Sequence, residues 1–115
     1  MRVTTGLFVA ALLRRAMRDG GFAAVLRKGA EEAGAVLVIA RTPGGAQQFY
    51  RPAPQSAYEA GGPQDRRFVR DSAIGDDESI ARAIERETRF DPDVWVIEIE
   101  IAGDDPGDLL AVMTP

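Results

Sequence analysis

The chain of 115 residues contains no cysteine and no histidine. The first absence excludes disulfides, thiolate nucleophiles, Fe–S clusters and zinc ribbons together. The second removes the commonest general base and the commonest transition-metal ligand. Catalysis, if the chain performs any, falls to Asp, Glu, Lys, Tyr, Ser or Thr, and a metal would have to be a hard cation held by carboxylates. Lysine is nearly absent as well: of 14 basic residues only Lys28 is not arginine. Arginine suits bidentate contacts to carboxylate or phosphate, but a composition rich in Ala and Gly, as a GC-rich genome produces, accounts for the excess equally well. Long apolar runs are missing too. Leu7–Leu13 is continuously apolar but far too short to span a bilayer, and Arg14, Arg15 and Arg18 follow it where a signal peptide would place small residues. It reads as part of a buried helix in an unexported, cytoplasmic protein.

What is present is ordinary for one globular domain spanning residues 1–115. The apolar fraction is 45%, and a chain of this length buries roughly two-thirds of the surface its unfolded form exposes. The net charge of −4 argues against nucleic-acid binding by bulk electrostatics. Its distribution is uneven: residues 1–58 carry eight basic and three acidic side chains, and residues 59–115 carry six and fifteen. Either the two halves pack together and complement one another, or a dipolar surface docks a partner or a second copy.

Thr4 or Thr5 caps a predicted helix over about Gly6–Asp19, with Val9, Leu12, Leu13, Ala16 and Met17 at helical spacing and Gly20–Gly21 as its stop. Phe22–Lys28 and Ala35–Arg41 read as strands joined by the Gly29–Gly34 turn, which suggests a hairpin. The second strand is apolar on both faces, as a central strand covered on both sides would be, or one covered on one side and closed by a dimer contact. Gln47–Arg51 is a third strand and Arg66–Asp71 a short fourth. Between them 53–65 is a long loop without periodicity, the kind that is usually functional or mobile. Asp76 or Asp77 caps a second helix ending near Arg89, with Ile80, Ala83 and Ile84 as its stripe. Val94–Ile101 alternates strictly, Trp95, Ile97, Ile99 and Ile101 on one face, and Val94, Val96, Glu98 and Glu100 on the other, both glutamates toward water. Leu109–Met113 adds a short edge strand or frays. The expected fold is α+β: a mainly antiparallel sheet of four to five strands, two helices on one face, in the order α-β-β-β-(β)-α-β.

Few motifs carry chemistry. Arg27–Ala35 is similar to the end of a Nudix box, but Lys28 stands where a metal-binding acid is required, and Gly20, Gly21 and Gly29 would break the box helix. Asp76, Asp77 and Glu78 lack calcium-loop spacing and suit a helix start. Asp104, Asp105 and Asp108 suit a solvated loop. No glycine pair has nucleotide-loop context. Arg66, Arg67 and Arg70 with Phe68, joined by Arg14, Arg15 and Arg18, form a basic-aromatic set that could grip phosphate or single-stranded RNA. Tyr50-Arg51-Pro52-Ala53-Pro54-Gln55, with Tyr58 beyond, is a proline-stiffened segment that suits recognition, or a turn whose tyrosines anchor it to the core.

Taken together, Leu12-Leu13-Arg14-Arg15, Gly20–Gly29, Glu31-Glu32-Ala33-Gly34-Ala35, Pro52-Ala53-Pro54-Gln55 and Arg89-Phe90-Asp91-Pro92-Asp93-Val94-Trp95 resemble the bacterial domain-of-unknown-function family 1491. The resemblance covers nearly the whole chain. It implies a short, stand-alone, cytoplasmic bacterial protein, and it implies no activity and no catalytic or binding residue. The residues themselves favour a non-enzymatic binding or protein-interaction module, with self-association into a homodimer as one form. Tyr50, Arg51, Gln55, Tyr58, Arg66, Arg67 and Arg70 are the candidate binding residues, with no catalytic residue, metal ligand or cofactor assigned. A small polyanion binder, for RNA or a nucleotide, is the alternative, and a carboxylate enzyme using magnesium the third.

Overall fold

The computed structural model describes residues 3–18, 20–54 and 66–113. Asp19, Gln55, Tyr58 and most of the expected 53–65 loop therefore lie outside the described residues. Helix α1 is Thr5–Met17, capped by Thr4, whose Oγ1 accepts from the Leu7 N–H at 3.2 Å. Val9, Leu12 and Ala16 are its buried stripe. Gly20, at φ 84, takes the left-handed turn that leads the chain away, a conformation that suits a residue without Cβ. Helix α2 is Asp77–Phe90, capped by Asp76 in a reciprocal capping box with Ser79.

The strands are β1 (Ala23–Arg27), β2 (Val36–Arg41), β3 (Gln47–Pro52), β4 (Arg67–Arg70), β5 (Trp95–Glu100) and β6 (Ala111–Val112). They form one six-stranded sheet in the order β1-β5-β2-β3-β4-β6. The sheet is mixed: β2–β5 and β4–β6 are parallel pairs, the other three antiparallel. The α+β class and two helices agree with expectation; the mainly antiparallel sheet of four to five strands is matched only in part, since two of the five pairs are parallel and the strands number six among the described residues.

The expected β1–β2 hairpin does not form, because β5 lies between the two strands. The reason is burial. Strand β2 is buried from Val36 to Ala40, and β5 is buried at Trp95, Val96, Ile97 and Ile99, whereas β1 has no buried residue. The two strands buried on both faces lie side by side in the middle, and β1, with no buried residue, lies at the edge.

The helices also do not share a face. Val9, Leu12 and Ala16 of α1 pack with Val36, Val38, Ala40, Tyr50, Phe68, Trp95, Ile97 and Ile99. Ile80 and Ala83 of α2 pack with Leu37, Ile39, Phe49, Val94 and Val96 on the opposite side. The alternation of β2 therefore serves two cores, which is the double coverage its sequence anticipated. The Val94/Val96 and Trp95/Ile97/Ile99 division of β5 holds as read. Glu98 does not simply face water: its side chain is 14% exposed, and the Arg41 Nε and Nη2 both reach its Oε2, at 2.8 and 2.6 Å. Parallel pairing of β2 with β5 brings that arginine alongside.

Ile97 sits at the crossing of both observations, central and fully buried. Ile97→Ala is expected to lower unfolding free energy by about 2–5 kcal/mol, whereas Leu7→Ala, at a position 63% exposed, should stay within about 0.5 kcal/mol. Urea denaturation of both variants checks this.

Candidate functional site

Two segments distant in sequence meet at one end of the sheet. The 29–34 loop crosses over β5 to connect β1 with β2, a span of about 10 Å for two strand spacings. It does so in close contact with the residues that enter β5. The Ala30 N–H donates to the Asp93 carbonyl at 2.9 Å, and the Trp95 Nε1–H donates to the Ala30 carbonyl at 2.8 Å. A Cβ at Gly29 or at Gly34 would meet the Asp93 carbonyl oxygen and the Trp95 ring. Glycine is required at both ends because backbone lies against backbone there.

The same loop closes the start of α1. Thr5 and Gly6 donate their N–H groups to the carbonyls of Glu32 and Glu31, at 3.3 and 2.9 Å. The buried Thr5 hydroxyl donates to the Gly34 carbonyl at 2.8 Å and accepts from Arg66 Nη2 at 2.9 Å. The Glu31 carboxylate lies where a Cβ of Gly6 would be, supplying an anion to a helix with no acidic residue in its first turn. The first N–H groups of α1 are thus used inside the protein, so this helix start is not an anion cradle.

Beside this junction is a cleft of about 220 Å³ lined by Ala33, Gly34, Ala35, Val36, Pro52, Ala53, Arg66, Arg67 and Phe68. Its origin is legible in the ladder. β2 and β3 pair from Arg41↔Gln47 to Val38↔Tyr50. Continuing that register places Pro52 opposite Val36, and proline has no N–H to donate. Pairing of β2 with β3 stops there, and the chain turns toward β4, where the Ala53 N–H donates to the Arg67 carbonyl at 2.8 Å. The gap left between β2 and β3 is the cleft. Its floor is apolar, and both its charged residues are arginines.

The sequence-predicted residues are dispersed. Tyr50 is 2% exposed, in the core beneath α1, its hydroxyl donating to Gln48 Oε1 at 2.8 Å. Burial pushes its phenol above the usual 10.0, with Arg70 opposing and Asp105 adding to the rise. It is the core anchor that one reading of the motif allowed. Arg51 points the other way, to α2: it pairs with Glu87 at 2.8 Å and Asp71 at 3.1 Å, and stacks 5.4 Å over the Phe49 ring. It ties β3 to α2. Arg66 sits 5.3 Å over the Phe8 ring, itself stacked on Phe68 at 6.1 Å. Alternation along β4 puts Arg66 and Arg70 on the α1 side and Arg67 on the other. Arg15 is engaged with the Leu109 carbonyl at 3.3 Å, and Arg18 lies about 15 Å along the helix from Phe8. The arginines therefore do not form one basic patch. Pro52 and Ala53 belong to the cleft, but Ala33–Val36, its opposite wall, was missed. The only sequence signal for that wall was a proline opposite the start of a strand, which requires the register to be known.

The acidic clusters have structural roles. Asp76 accepts from the Ser79 N–H at 2.7 Å, and hydrogen bonding to Ser79 holds its carboxyl below the usual range. Asp105 accepts from the Gly107 N–H at 2.8 Å. Among the described residues no group of three His, Cys, Asp or Glu is placed to hold a metal ion, and no helix is long and apolar enough to cross a membrane.

Comparison with known proteins gives one consistent result. The family model described as "Protein of unknown function (DUF1491)" matches residues 3–106. The chain is similar to the solution structure of protein Atu0922 from A. tumefaciens, at 45% identity and a TM-score of 0.82, covering 100% of this chain and 98% of that one. It is similar to the crystal structure of a DUF1491 family protein from Caulobacter crescentus CB15, at 34% identity and a TM-score of 0.77, covering 99% and 100% of the two chains. No curated protein matches.

Two expectations follow from the geometry. Gly34→Ala places a methyl group against Asp93 and within 2.9 Å of Trp95 Cδ1, and should cost about 1–3 kcal/mol in urea denaturation. Tyr50 is expected to contribute to a fall in stability at alkaline pH. Because its folded pKa lies above the unfolded 10.0, its contribution is fully present below pH 10 and is lost as pH rises through the folded value. Tyr50→Phe should flatten the fall in stability above pH 10, measured by thermal denaturation across that range.

Proposed function

The chain belongs to DUF1491, a family described as of unknown function, and we propose that within it this protein is a non-catalytic, cytoplasmic binding module whose ligand is an extended, acidic segment of a partner protein. The observation that carries the reading is the cleft where Pro52 ends the β2–β3 ladder. A gap between diverging strands presents strand backbone to a ligand, as in recognition by strand addition. Its walls of Ala33, Ala35, Val36, Ala53 and Phe68 suit small apolar side chains, and Arg66 on its α1 side and Arg67 on the other, both lining it, each suit a carboxylate. Of the residues first picked out, Arg66 and Arg67 keep a recognition role. Tyr50 and Arg51 support it from behind, by packing and by the clamp to α2. The absence of cysteine and histidine and the structural use of Asp76 and Asp105 favour binding over catalysis.

The polyanion alternative is less well supported, because the arginines are divided between two faces and the start of α1 is closed by Glu31 and Glu32. An amide NMR titration decides between them, using blocked peptide pools of alternating Val and Glu or Val and Lys, and an RNA oligomer. The acidic pool is expected to shift the Val36, Ala53 and Phe68 amides, and Arg67→Glu to weaken this about tenfold or more, the loss of one charge-assisted contact. Silence of those amides toward the acidic pool would remove the reading; shifts with RNA alone, steeply salt-dependent, would install the alternative.

A further inference from the structure

We propose that the β1 edge is a self-association surface, at which two copies pair antiparallel through Ala23 and Val25 about a two-fold axis at Ala24. The surface is separate from the cleft, and the inference does not rest on the function proposed for it.

Strand β1 ends the sheet, paired among the described residues on one side only, with β5. The pairing assigns its backbone groups. The Glu100 N–H donates to the Phe22 carbonyl at 2.9 Å, so in the Ala23↔Ile99, Ala24↔Glu98 register the groups of Phe22 and Ala24 point inward to β5. Those of Ala23 and Val25 point outward along the open edge. An edge of this kind is a template for another strand unless it is blunted by proline, lysine or extreme shortness. Residues 22–26, Phe-Ala-Ala-Val-Leu, contain no charge and no proline. A bulge between Val25 and Arg27 is the one blunting device, and it confines pairing to the stretch before it.

The second copy is favoured over another occupant because the edge is complementary to itself. Phe22 and Leu26 are 50% and 53% exposed, large for apolar side chains, and they are equidistant from Ala24. Antiparallel pairing centred on Ala24 sets each Ala23 opposite the other copy's Val25, twice over, and brings each exposed Phe22 toward the other copy's Leu26 at the bulge. The charges agree. Glu100, exposed beside Phe22, lies at one end of the strand, and the exposed Lys28 lies at the other; Arg27 is turned inward, donating to the Pro92 carbonyl at 3.1 Å. The two-fold brings the acidic end of one copy to the basic end of its mate.

The test uses the whole chain. Light scattering and sedimentation over rising concentration are expected to show a monomer–dimer equilibrium. Val25→Pro removes an outward N–H that the β1–β5 ladder does not use, so it should leave the circular dichroism unchanged and shift the equilibrium to monomer. Phe22→Asp is the second variant should the proline disturb the fold. A positive signature is available because the chain has no cysteine. Ala24→Cys places two thiols in a non-hydrogen-bonded pair, Cα atoms about 4.5 Å apart, within disulfide reach. Oxidised glutathione should then convert it to a covalent dimer, and should leave Ala81→Cys, on exposed α2, monomeric. A wild-type chain still monomeric at about 1 mM, a concentration at which even weak pairs form, overturns the proposal. So does a dimer indifferent to both Val25→Pro and Phe22→Asp, or cross-linking equal at Ala24 and Ala81.

Discussion

The architecture depends on β5 lying between β1 and β2. That position is stabilised by burial, since β2 and the first half of β5 are covered on both faces, and it is permitted by two glycines. A connection from β1 to β2 must pass over the start of β5, and Gly29 and Gly34 let its backbone approach Asp93 and the Trp95 ring. The tryptophan in turn holds the loop through Ala30. The loop then closes the start of α1 with the carbonyls of Glu31 and Glu32. Sheet order, loop path and helix placement are one constraint seen from three sides.

Charge follows the same logic. The basic first half and acidic second half are joined in the fold by Arg41–Glu98, Arg51–Asp71 and Arg51–Glu87. Each pair links residues from 1–58 to residues from 59–115. The imbalance along the chain is to that extent internal complementarity, and each partly exposed pair contributes modestly, up to about 1 kcal/mol. What these pairs do is orient α2 on the sheet and tie β2 to β5. The i,i+4 pairs of α2, Glu78–Arg82 and Glu85–Arg89, are more exposed still and add little beyond helix solubility.

The candidate cleft was half legible. Pro52 and Ala53 stood out because two prolines stiffen a strand exit, and Arg66 and Arg67 because they cluster near Phe68. Tyr50 and Arg51, adjacent in the same motif, turned out to face opposite cores, Tyr50 beneath α1 and Arg51 toward α2. Their neighbourhood in sequence is the period of a strand, which separates adjacent side chains to opposite faces. The wall at Ala33–Val36 had no signal of its own, being small apolar residues that look the same in a core and in a cleft.

Local chemistry by itself determined both helices with their Thr4 and Asp76 caps, the strands to within a residue or two, the split faces of β5 and the α+β class. Each follows from interactions within a few residues: caps, helical or alternating periodicity, glycine turns. Family membership was legible as well, in segments of which the 29–34 loop and 93–95 now meet at Trp95. Tertiary structure alone decided which strands are neighbours, that two of the pairs run parallel, and that α1 and α2 cover opposite faces. Those outcomes arise from competition among strands for the central positions. Such competition compares burial across the whole chain, and no local pattern encodes its winner.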